Sequence, residues 1–283
     1  MALICVEIAV RDDPRLPDAV GSLALQTRRP DRILIAAAPD TPEPLVEAAR
    51  ARTPGIPITV LRVAGGIVGA RAAAIGAITE ELTVFLDSDE VAPPSWLATL
   101  VAPLEAHSAE FSGGPTRPSR PPATSLERYS VLLEASIYEG LVPARVTYLP
   151  LQNTAWRTDL VRRVGFDPRI PFAEDHDLET RAAAAGARGV FVPAAWVYHD
   201  PQSAAGYTRW ARKRYRYLVA MTMSLAKNRG LSARAREHRR TVRHPLALVE
   251  ASLKPFALAA GTLRWRRVAR SASGTPSPPA PVP

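Results

Sequence analysis

Short apolar runs alternate with stretches of helical periodicity along the first hundred residues. The apolar runs lie at residues 3–10, 32–38, 58–63 and 82–86, and the helical stretches lie at residues 18–26, 43–52 and 70–79. Runs of this length are typical of buried strands. Strands that alternate with such helices form βαβ units, in which the helix carries the chain back across the sheet so that the two strands are parallel. We therefore predict an α/β fold with a mixed, mostly parallel sheet flanked by helices.

The pattern continues less regularly in the second half. Helices are predicted at residues 95–107, 125–138 and 175–185, and strands at 110–114, 146–150, 153–157 and 189–193. The Pro-rich segment 115–123 separates the two halves, 1–114 and 124–206. Its composition favours a spacer or flap over an element of the sheet.

Composition indicates a globular protein of a reducing compartment. The chain has 283 residues, 47% of them hydrophobic, which is enough for one large or two small domains. Its single cysteine, Cys5, lies in an apolar run and cannot form an intramolecular disulfide, so a core role is favoured over a catalytic one. The N-terminus has no basic segment and reaches Glu7 early, unlike a secretory signal. We expect a cytoplasmic protein.

Positive charge is concentrated towards the C-terminus. Residues 1–206 contain 19 Lys and Arg against 25 Asp and Glu, whereas residues 207–270 contain 17 against 2. A basic extension on an acidic body favours peripheral contact with an anionic membrane, although Arg-rich codon usage is an alternative cause. Arginines and aromatic residues interleave at 207–217, as in some nucleic-acid sites. Because no recognised nucleic-acid module accompanies them, we expect no nucleic-acid partner.

Residues 245–267 are apolar but carry Glu250, Lys254 and Pro255. A helix that spans a membrane needs about 20 mostly apolar residues, so these three residues argue against a span. An amphipathic helix lying on the inner face of the membrane is favoured, and a helix packed on the body is the alternative. Residues 271–283 are low in complexity and rich in proline, which predicts a disordered tail.

Two carboxylates follow the fourth predicted strand directly, in the tripeptide Asp87-Ser88-Asp89. Residues two apart in an extended chain point the same way. Both carboxylates can therefore aim at one divalent cation, which in nucleotide sites is also bound by substrate phosphates. An isolated Asp-x-Asp is a weak signal, and a surface turn is the alternative.

Two further segments can supply chemistry. The glycine-rich segment 65–71 joins a strand to a helix, where backbone N–H groups can approach a phosphate, although a plain tight turn is equally consistent. Four acids lie at or before the start of the helix predicted at 175–185. The helix dipole explains some of them, and Asp177 can pair with Arg181 one turn later. Glu174 or Asp175 is left as a candidate general base.

These segments, in this order, resemble glycosyltransferase family 2, whose members have the GT-A nucleotide-sugar fold. The resemblance covers roughly residues 3–220. The matching segments are residues 22–27, 69–71, 85–90, 153–157, 164–167, 174–178 and 192–199.

The resemblance implies a metal-dependent, inverting enzyme that moves a sugar from a nucleotide-diphosphate sugar to a hydroxyl acceptor. Residues 1–206 would form the catalytic domain, with a nucleotide-binding half at 1–114, an acceptor half at 124–206 and a helical extension at 207–270. The cofactor would be Mn²⁺ or Mg²⁺. The basic extension favours a lipid-linked or bacterial cell-envelope saccharide as the acceptor.

The resemblance also implies roles for individual residues. The expected metal ligands are Asp89, Asp87 and His199, although a lone histidine after a strand is commonly structural. The expected base is Asp175. The expected donor contacts are Arg71, Asp40, Asp87 and Gly69. The expected acceptor contacts are Glu174, Trp156, Asn153 and Trp210.

The nucleotide half departs from the family pattern at several positions. Residues 36–40 replace an acidic run, which leaves Asp40 as the candidate for base binding, and Ala72 stands where the family has asparagine. The departures leave the nucleotide open, and a non-catalytic, membrane-associated sugar-nucleotide-binding protein is an alternative. A sugar nucleotidyltransferase is less consistent, since it would need a glycine-rich basic loop where residues 11–14 read Arg-Asp-Asp-Pro.

Overall fold

The computed structural model describes residues 1–139, 141, 146, 148–201, 206–229 and 244–273. Within these residues the strands are β1 (Ile4–Val10), β2 (Arg32–Ala37), β3 (Ile58–Arg62), β4 (Leu82–Leu86), β5 (Glu90–Val91), β6 (Phe111–Gly113), β7 (Thr116–Pro118), β8 (Asn153–Arg157), β9 (Gly189–Phe191) and β10 (Val197–His199). The helices are α1 (Leu16–Ala24), α2 (Glu43–Ala51), α3 (Gly66–Ala77), α4 (Trp96–Glu105), α5 (Ser125–Tyr138), α6 (Thr158–Val164), α7 (Glu174–Ala184), α8 (Tyr207–Lys227) and α9 (Pro245–Ser273).

Seven strands form the central sheet in the order β3-β2-β1-β4-β8-β6-β9. Strands β1 to β4 pair in parallel, and β6 is parallel to β9, whereas β8 is antiparallel to both of its neighbours. The mixed, mostly parallel α/β sheet predicted from the sequence is confirmed. The carboxyl ends of β1 and β4 lie together at one edge, which is where open α/β sheets bind ligands.

The sheet is covered on both faces, and the alternation within β1 shows how. Ile4, Val6 and Ile8 pack with α1, α2 and α4, whereas Cys5 packs with α3, α6 and α7 on the other face. Successive strand side chains point to opposite faces, so a strand covered on both faces is mostly apolar, and the one charged residue of β1 is Glu7. Burial raises the pKa of the Cys5 thiol to about 12, which agrees with the predicted core role.

Two predictions about the second half were wrong. Residues 146–150 form no strand among the described positions there, because only Val146 makes an isolated bridge, to Gly189. The segment 115–123 is not wholly a spacer, since β7 lies in it and joins a small sheet in the order β5-β10-β7. This small sheet determines which residues His199 lies beside.

The C-terminal helices α8 and α9 pack closely on each other. A Cβ at Gly261 would lie 2.6 Å from the carbonyl oxygen of Val219 and 2.6 Å from Cβ of Thr222, so only glycine permits this approach. The other end of α8 is bound to α7, where Lys227 Nζ and Asn228 Nδ2 donate to the carboxylate of Asp177 at 2.9 and 2.8 Å. The two helices are therefore anchored on the body that contains the central sheet.

Helix α9 is long and apolar enough to cross a membrane by length and composition alone, with a mean hydropathy of 1.3 over its most apolar window. It runs to Ser273, so the first three residues of the predicted disordered tail are helical. The rest of that tail, residues 274–283, lies outside the described residues.

Candidate active site

Arg71, on α3, is the centre of a buried ion-pair network. Its Nη1 donates to Oε1 of Glu174 at 2.6 Å and its Nη2 donates to Oδ1 of Asp87 at 2.7 Å. Its Nε lies 3.9 Å from Oε2 of Glu7, a fully buried acid in the middle of β1. Burial raises the pKa of Glu7 to about 7, although the positive charge of Arg71 opposes the shift. The guanidinium therefore connects β1, the end of β4 and the start of α7.

The turn after β4 is held in place by a hydrogen bond to the buried side chain of Glu90. This acid is fully buried, and its Oε2 accepts a hydrogen bond from the backbone N–H of Asp87 at 3.1 Å. Burial, together with the negative charge of Asp87, raises the pKa of Glu90 well above its usual range. The turn presents Asp87 and Asp89 towards the same cavity. The predicted convergence of these two carboxylates is thus present.

His199 reaches Asp89 because of strand pairing. In the small sheet His199 is the direct partner of Glu90, the residue after Asp89. Its Nε2 lies 3.3 Å from Oδ2 of Asp89, and its Nδ1 lies 3.1 Å from Oε2 of Glu134 on α5. Burial by itself lowers the pKa of His199, but the hydrogen bonds to Asp89 and Glu134 outweigh it and raise the pKa well above its usual range.

The arrangement fits a divalent metal held by two protein ligands. A histidine ligand is commonly oriented by a carboxylate on its other ring nitrogen, which is the position of Glu134. No group of three Asp, Glu, His or Cys side chains close enough to hold a metal alone was found among the described residues. A metal at Asp89 and His199 would therefore complete its shell with water and substrate phosphate oxygens.

Asp175 is the second residue of α7 and faces the same cavity. Its Oδ2 accepts a hydrogen bond from the hydroxyl of Tyr148 at 3.0 Å, and its Oδ1 accepts one from the backbone N–H of His176 at 2.7 Å. The preceding residue, Ala173, has φ 55° and ψ 33°, a left-handed conformation that is unfavourable for a residue with a Cβ. Such strain is found where the surroundings fix a backbone for function. The conformation of Ala173 sets the direction in which the side chains of Glu174 and Asp175 project from the start of α7.

The cavity between these groups has a volume of about 1130 Å³. Acidic side chains line it on the sheet side, namely Asp87, Asp89, Glu134 and Asp175. The other wall is the first half of α8, a helix that the sequence placed in a separate extension. Trp210, a predicted acceptor contact, lines this wall and packs edge-to-face on Tyr129 with ring centroids 5.7 Å apart.

Two predicted acceptor contacts were wrong. Trp156 is 0% exposed and stacks on Phe111, with ring centroids 4.4 Å apart in the core. Asn153 is also 0% exposed, and its side chain accepts from Nε1 of Trp96 and donates to the carbonyl oxygens of Pro115 and Ala195. Both residues are on β8, which is covered by protein on both faces and presents no side chain to a substrate.

Three further residues predicted to contact a substrate are instead in contact with other parts of the protein. Glu174 is buried against Arg71 and does not line the cavity, so its predicted acceptor contact is absent here. Arg71 in turn contacts carboxylates and is not presented to a phosphate. A Cβ at Gly69 would lie 2.8 Å from the carbonyl oxygen of Ala64, so this glycine is required by the turn itself.

Asp40 lies outside the cavity. It is exposed and pairs with Arg11, whose Nη2 lies 2.7 Å from its Oδ2. Both residues follow the carboxyl ends of strands, Arg11 after β1 and Asp40 after β2, at the same edge as Asp87. Its role in binding the donor's base stays a prediction.

Several residues at the site were missed by the sequence reasoning. Glu134 and Tyr148 carry no local motif, and only tertiary packing brings Glu134 beside His199 and Tyr148 beside Asp175. Arg15, whose Nη2 lies 3.5 Å from Oδ2 of Asp89, likewise gave no signal. Glu7 did give one, because it is a lone acid inside an apolar strand.

The family model "Glycosyltransferase like family 2" matches residues 5–243 of the chain. No curated protein matches the sequence.

Solved structures share the fold at low identity. A mannosyltransferase, PcManGT from Pyrobaculum calidifontis, solved with GDP-Man and Mn²⁺, is 18% identical with a TM-score of 0.62, over 98% of this chain and 76% of its own. Glucosyl-3-phosphoglycerate synthase from Mycobacterium tuberculosis, solved with Mn²⁺, UDP and phosphoglyceric acid, is 16% identical with a TM-score of 0.58, over 81% and 79%. TarS from S. aureus is 13% identical with a TM-score of 0.57, over 92% and 55%.

Proposed function

The chain belongs to glycosyltransferase-like family 2 and is a glycosyltransferase, and from this premise we propose that it is a metal-dependent, inverting enzyme. In the proposed reaction a sugar moves from a nucleotide-diphosphate sugar to a hydroxyl group of a lipid-linked or cell-envelope saccharide. One observation carries the proposal: the Asp89 and His199 pair and the Asp175 carboxylate line the same cavity. In glycosyl transfer the group that binds the leaving nucleotide and the base that activates the acceptor must lie in one cavity, because both act at the same anomeric carbon.

The Asp89 and His199 side would receive the donor's diphosphate. Asp89 and His199 would hold Mn²⁺ or Mg²⁺, which when bound neutralises the negative charge that grows on the leaving nucleotide. Glu134 accepts a hydrogen bond from Nδ1–H of His199 and keeps Nε2 directed at Asp89. Glu90 fixes the turn, and Arg71 holds Asp87 beside it. Two relatives with this fold were solved with Mn²⁺ and a nucleotide or nucleotide sugar, which supports this assignment.

Asp175 would act as the general base. Its carboxylate removes the proton from the acceptor hydroxyl, whose oxygen forms a bond to the anomeric carbon while the bond from that carbon to the diphosphate oxygen breaks. Because the nucleotide leaves as an anion, no general acid is required on the other side. Tyr148 donates to Asp175 and orients the carboxylate, and the strained backbone at Ala173 holds the start of α7 in place.

The membrane part of the proposal rests on α9. Leu248, Phe256 and Leu263 lie on one side of this helix at spacings of eight and seven residues, and Phe256 is 69% exposed. Arginines follow at 264, 266, 267 and 270. An exposed apolar side next to basic residues fits the surface of an anionic membrane. The cytoplasmic location and the peripheral contact remain part of this proposal.

Isothermal calorimetry with Mn²⁺ and UDP, GDP or dTDP, followed by a donor screen for nucleotide release, tests the function. We expect metal-dependent binding of one nucleotide, weakened at least tenfold in Asp89→Asn. In Asp175→Asn we expect unchanged nucleotide binding and a turnover lower by about 10²- to 10⁴-fold, the usual contribution of a general base. Asp159→Asn, at an exposed site on α6, is the matched control. Wild-type turnover in Asp175→Asn would disprove the assignment of the base.

A further inference from the structure

The cations of α8 fall into two groups. Two are paired with carboxylates: Arg214 Nη2 lies 2.7 Å from Glu250, and Lys227 Nζ lies 2.7 Å from Asp167 and 2.9 Å from Asp177, although Arg214 also lines the cavity. The other cations that line the cavity have no carboxylate within 4 Å in the described part of the chain. This second group, which we call the basic wall, consists of Arg209, Arg212, Lys213 and Arg216.

The basic wall is unfavourable for the helix itself. Its members are spaced three or four residues apart, so four pairs of like charge lie beside each other on one side of α8. The two pairs at a spacing of four residues, Arg209 with Lys213 and Arg212 with Arg216, each destabilise a helix by about 0.2–0.5 kcal/mol. The sequence therefore keeps a repulsive arrangement at a position where a bound anion would remove the repulsion.

The position of the wall favours the acceptor over the donor. Arg216 lies over the ring of Phe172, 4.6 Å from its centroid, just before the strained start of α7. Trp210 packs on Tyr129 of α5, and the cavity between contains Tyr148 and Asp175. These neighbours lie around Asp175, whereas the groups that would receive the donor's diphosphate are Asp89, after β4, and His199, the last residue of β10.

We propose that the basic wall binds a phosphate or diphosphate group on the acceptor, so that this enzyme glycosylates an anionic acceptor. The proposal rests on the proposed function, since it assumes that Asp175 faces the acceptor hydroxyl. Arginine and lysine suit such a ligand because a guanidinium binds phosphate oxygens in a bidentate manner and an ammonium adds a point charge. The same chemistry is found on a lipid-linked diphosphate and on a free sugar phosphate.

The test uses inorganic pyrophosphate as the probe, with EDTA present, and the double variant Arg212→Gln/Lys213→Gln. We expect calorimetry to show binding to the wild type that is at least tenfold weaker in the variant. The variant should fold, because removing like charges lowers the repulsion within α8. Arg266→Gln/Arg267→Gln removes the same charge from exposed positions on α9 and should bind pyrophosphate as the wild type does.

A second measurement separates this inference from the proposed function. Mn²⁺-dependent binding of the nucleoside diphosphate should change less than twofold in the Arg212/Lys213 variant. Equal loss of nucleotide binding would assign the basic wall to the donor and overturn the inference. Absence of any metal-dependent nucleotide binding in the wild type would instead contradict the proposed function. Farnesyl diphosphate and glucose 1-phosphate then distinguish a lipid-linked from a free acceptor, and tighter binding of either, lost in the variant, supports the inference.

Discussion

Arg71 and Glu174 are 103 residues apart in sequence, yet Nη1 of the arginine lies 2.6 Å from Oε1 of the acid. The pair joins the third helix to the start of the helix that carries Asp175. Because Nη2 of the same guanidinium also binds Asp87, one side chain fixes the turn after β4 and the start of α7 together. A single buried cation therefore connects the proposed metal side of the cavity to the proposed base.

Arg71→Met should destabilise the protein by about 3–5 kcal/mol, because it leaves buried carboxylates without a cation. Urea unfolding measures the change. Arg71→Lys should be intermediate, since one ammonium cannot bind two carboxylates in the same way as a planar guanidinium. Arg163→Met removes a solvent-exposed ion pair with Asp159 and should cost less than about 1 kcal/mol. Similar losses in the Arg71 and Arg163 variants would contradict this account.

Glu7→Gln should change how stability depends on pH. The folded pKa of Glu7 is raised from 4.5 to about 7, so the folded state binds the proton more tightly than the unfolded state. The favourable contribution of this tighter proton binding to the free energy of unfolding is complete below about pH 4.5 and is lost as the pH rises to about 7. At pH 8 the buried charge costs up to about 3 kcal/mol, by the free energy of a pKa shift.

Chemical unfolding of wild type and Glu7→Gln at pH 5 and pH 8 measures this effect. We expect the variant to gain stability relative to the wild type between the two pH values. A difference between the proteins that is the same at both pH values would show that Glu7 is ionised throughout.

Asn153→Ala should destabilise the fold, because it leaves Nε1 of Trp96 buried without its acceptor. The expected cost is about 1–3 kcal/mol, the usual penalty for such a group. Thermal unfolding measures it. The KM for the acceptor should stay within twofold of the wild type, since Asn153 does not face the cavity. A selective rise in KM with normal stability would restore the acceptor role predicted from the sequence.

Gly261→Val should separate α8 from α9. The new side chain would begin 2.6 Å from the Val219 carbonyl oxygen, and overpacking of this kind costs about 1–3 kcal/mol. Gly76→Ala is the control, because a Cβ there meets nothing within 4 Å. It should leave stability unchanged or raise it by about 0.4–1 kcal/mol, as expected for glycine in a helix. Differential scanning calorimetry of both variants checks the contrast.

Phe256→Glu/Leu263→Glu should abolish flotation with anionic liposomes, because it places charge on the exposed apolar side of α9. Leu25→Glu changes a leucine that is 71% exposed on the body and should float as the wild type does. Liposomes of neutral lipid should recover less wild-type protein at low salt, since the arginines of α9 attract anionic headgroups. Equal flotation of all three proteins would exclude α9 as the contact.

The sequence predicts the sheet well because each strand of the first half is a local apolar run followed by its own helix. It fails at β8, where Trp156 and Asn153 were expected to contact a substrate. That strand lies between β4 and β6 with protein on both faces, so its alternation carries no information on which side is open. The Asp87-Ser88-Asp89 turn was found because both acids are neighbours in sequence.

The sequence places residues 207–270 in a helical extension, but it does not indicate that part of this segment lines the cavity. The basic wall and Trp210 belong to the cavity, but their packing against α5 and α7 joins residues far apart in the chain. Charge density alone predicted the same membrane-contacting extension for α8 and α9, although α8 lines the cavity and α9 has an exposed apolar side. Long-range packing of this kind has no local pattern and needs the folded structure.

The bonds from Lys227 and Asn228 to Asp177 have a consequence for protein engineering. They attach α8 to α7, whose second residue is Asp175, while Glu250 and Gly261 attach α8 to α9. Replacing α8 alone with that of a relative would break its contacts with α7 and its contacts with α9. Altered acceptor choice therefore requires transplanting α7, α8 and α9 as one block, or changing only the exposed cations of the basic wall.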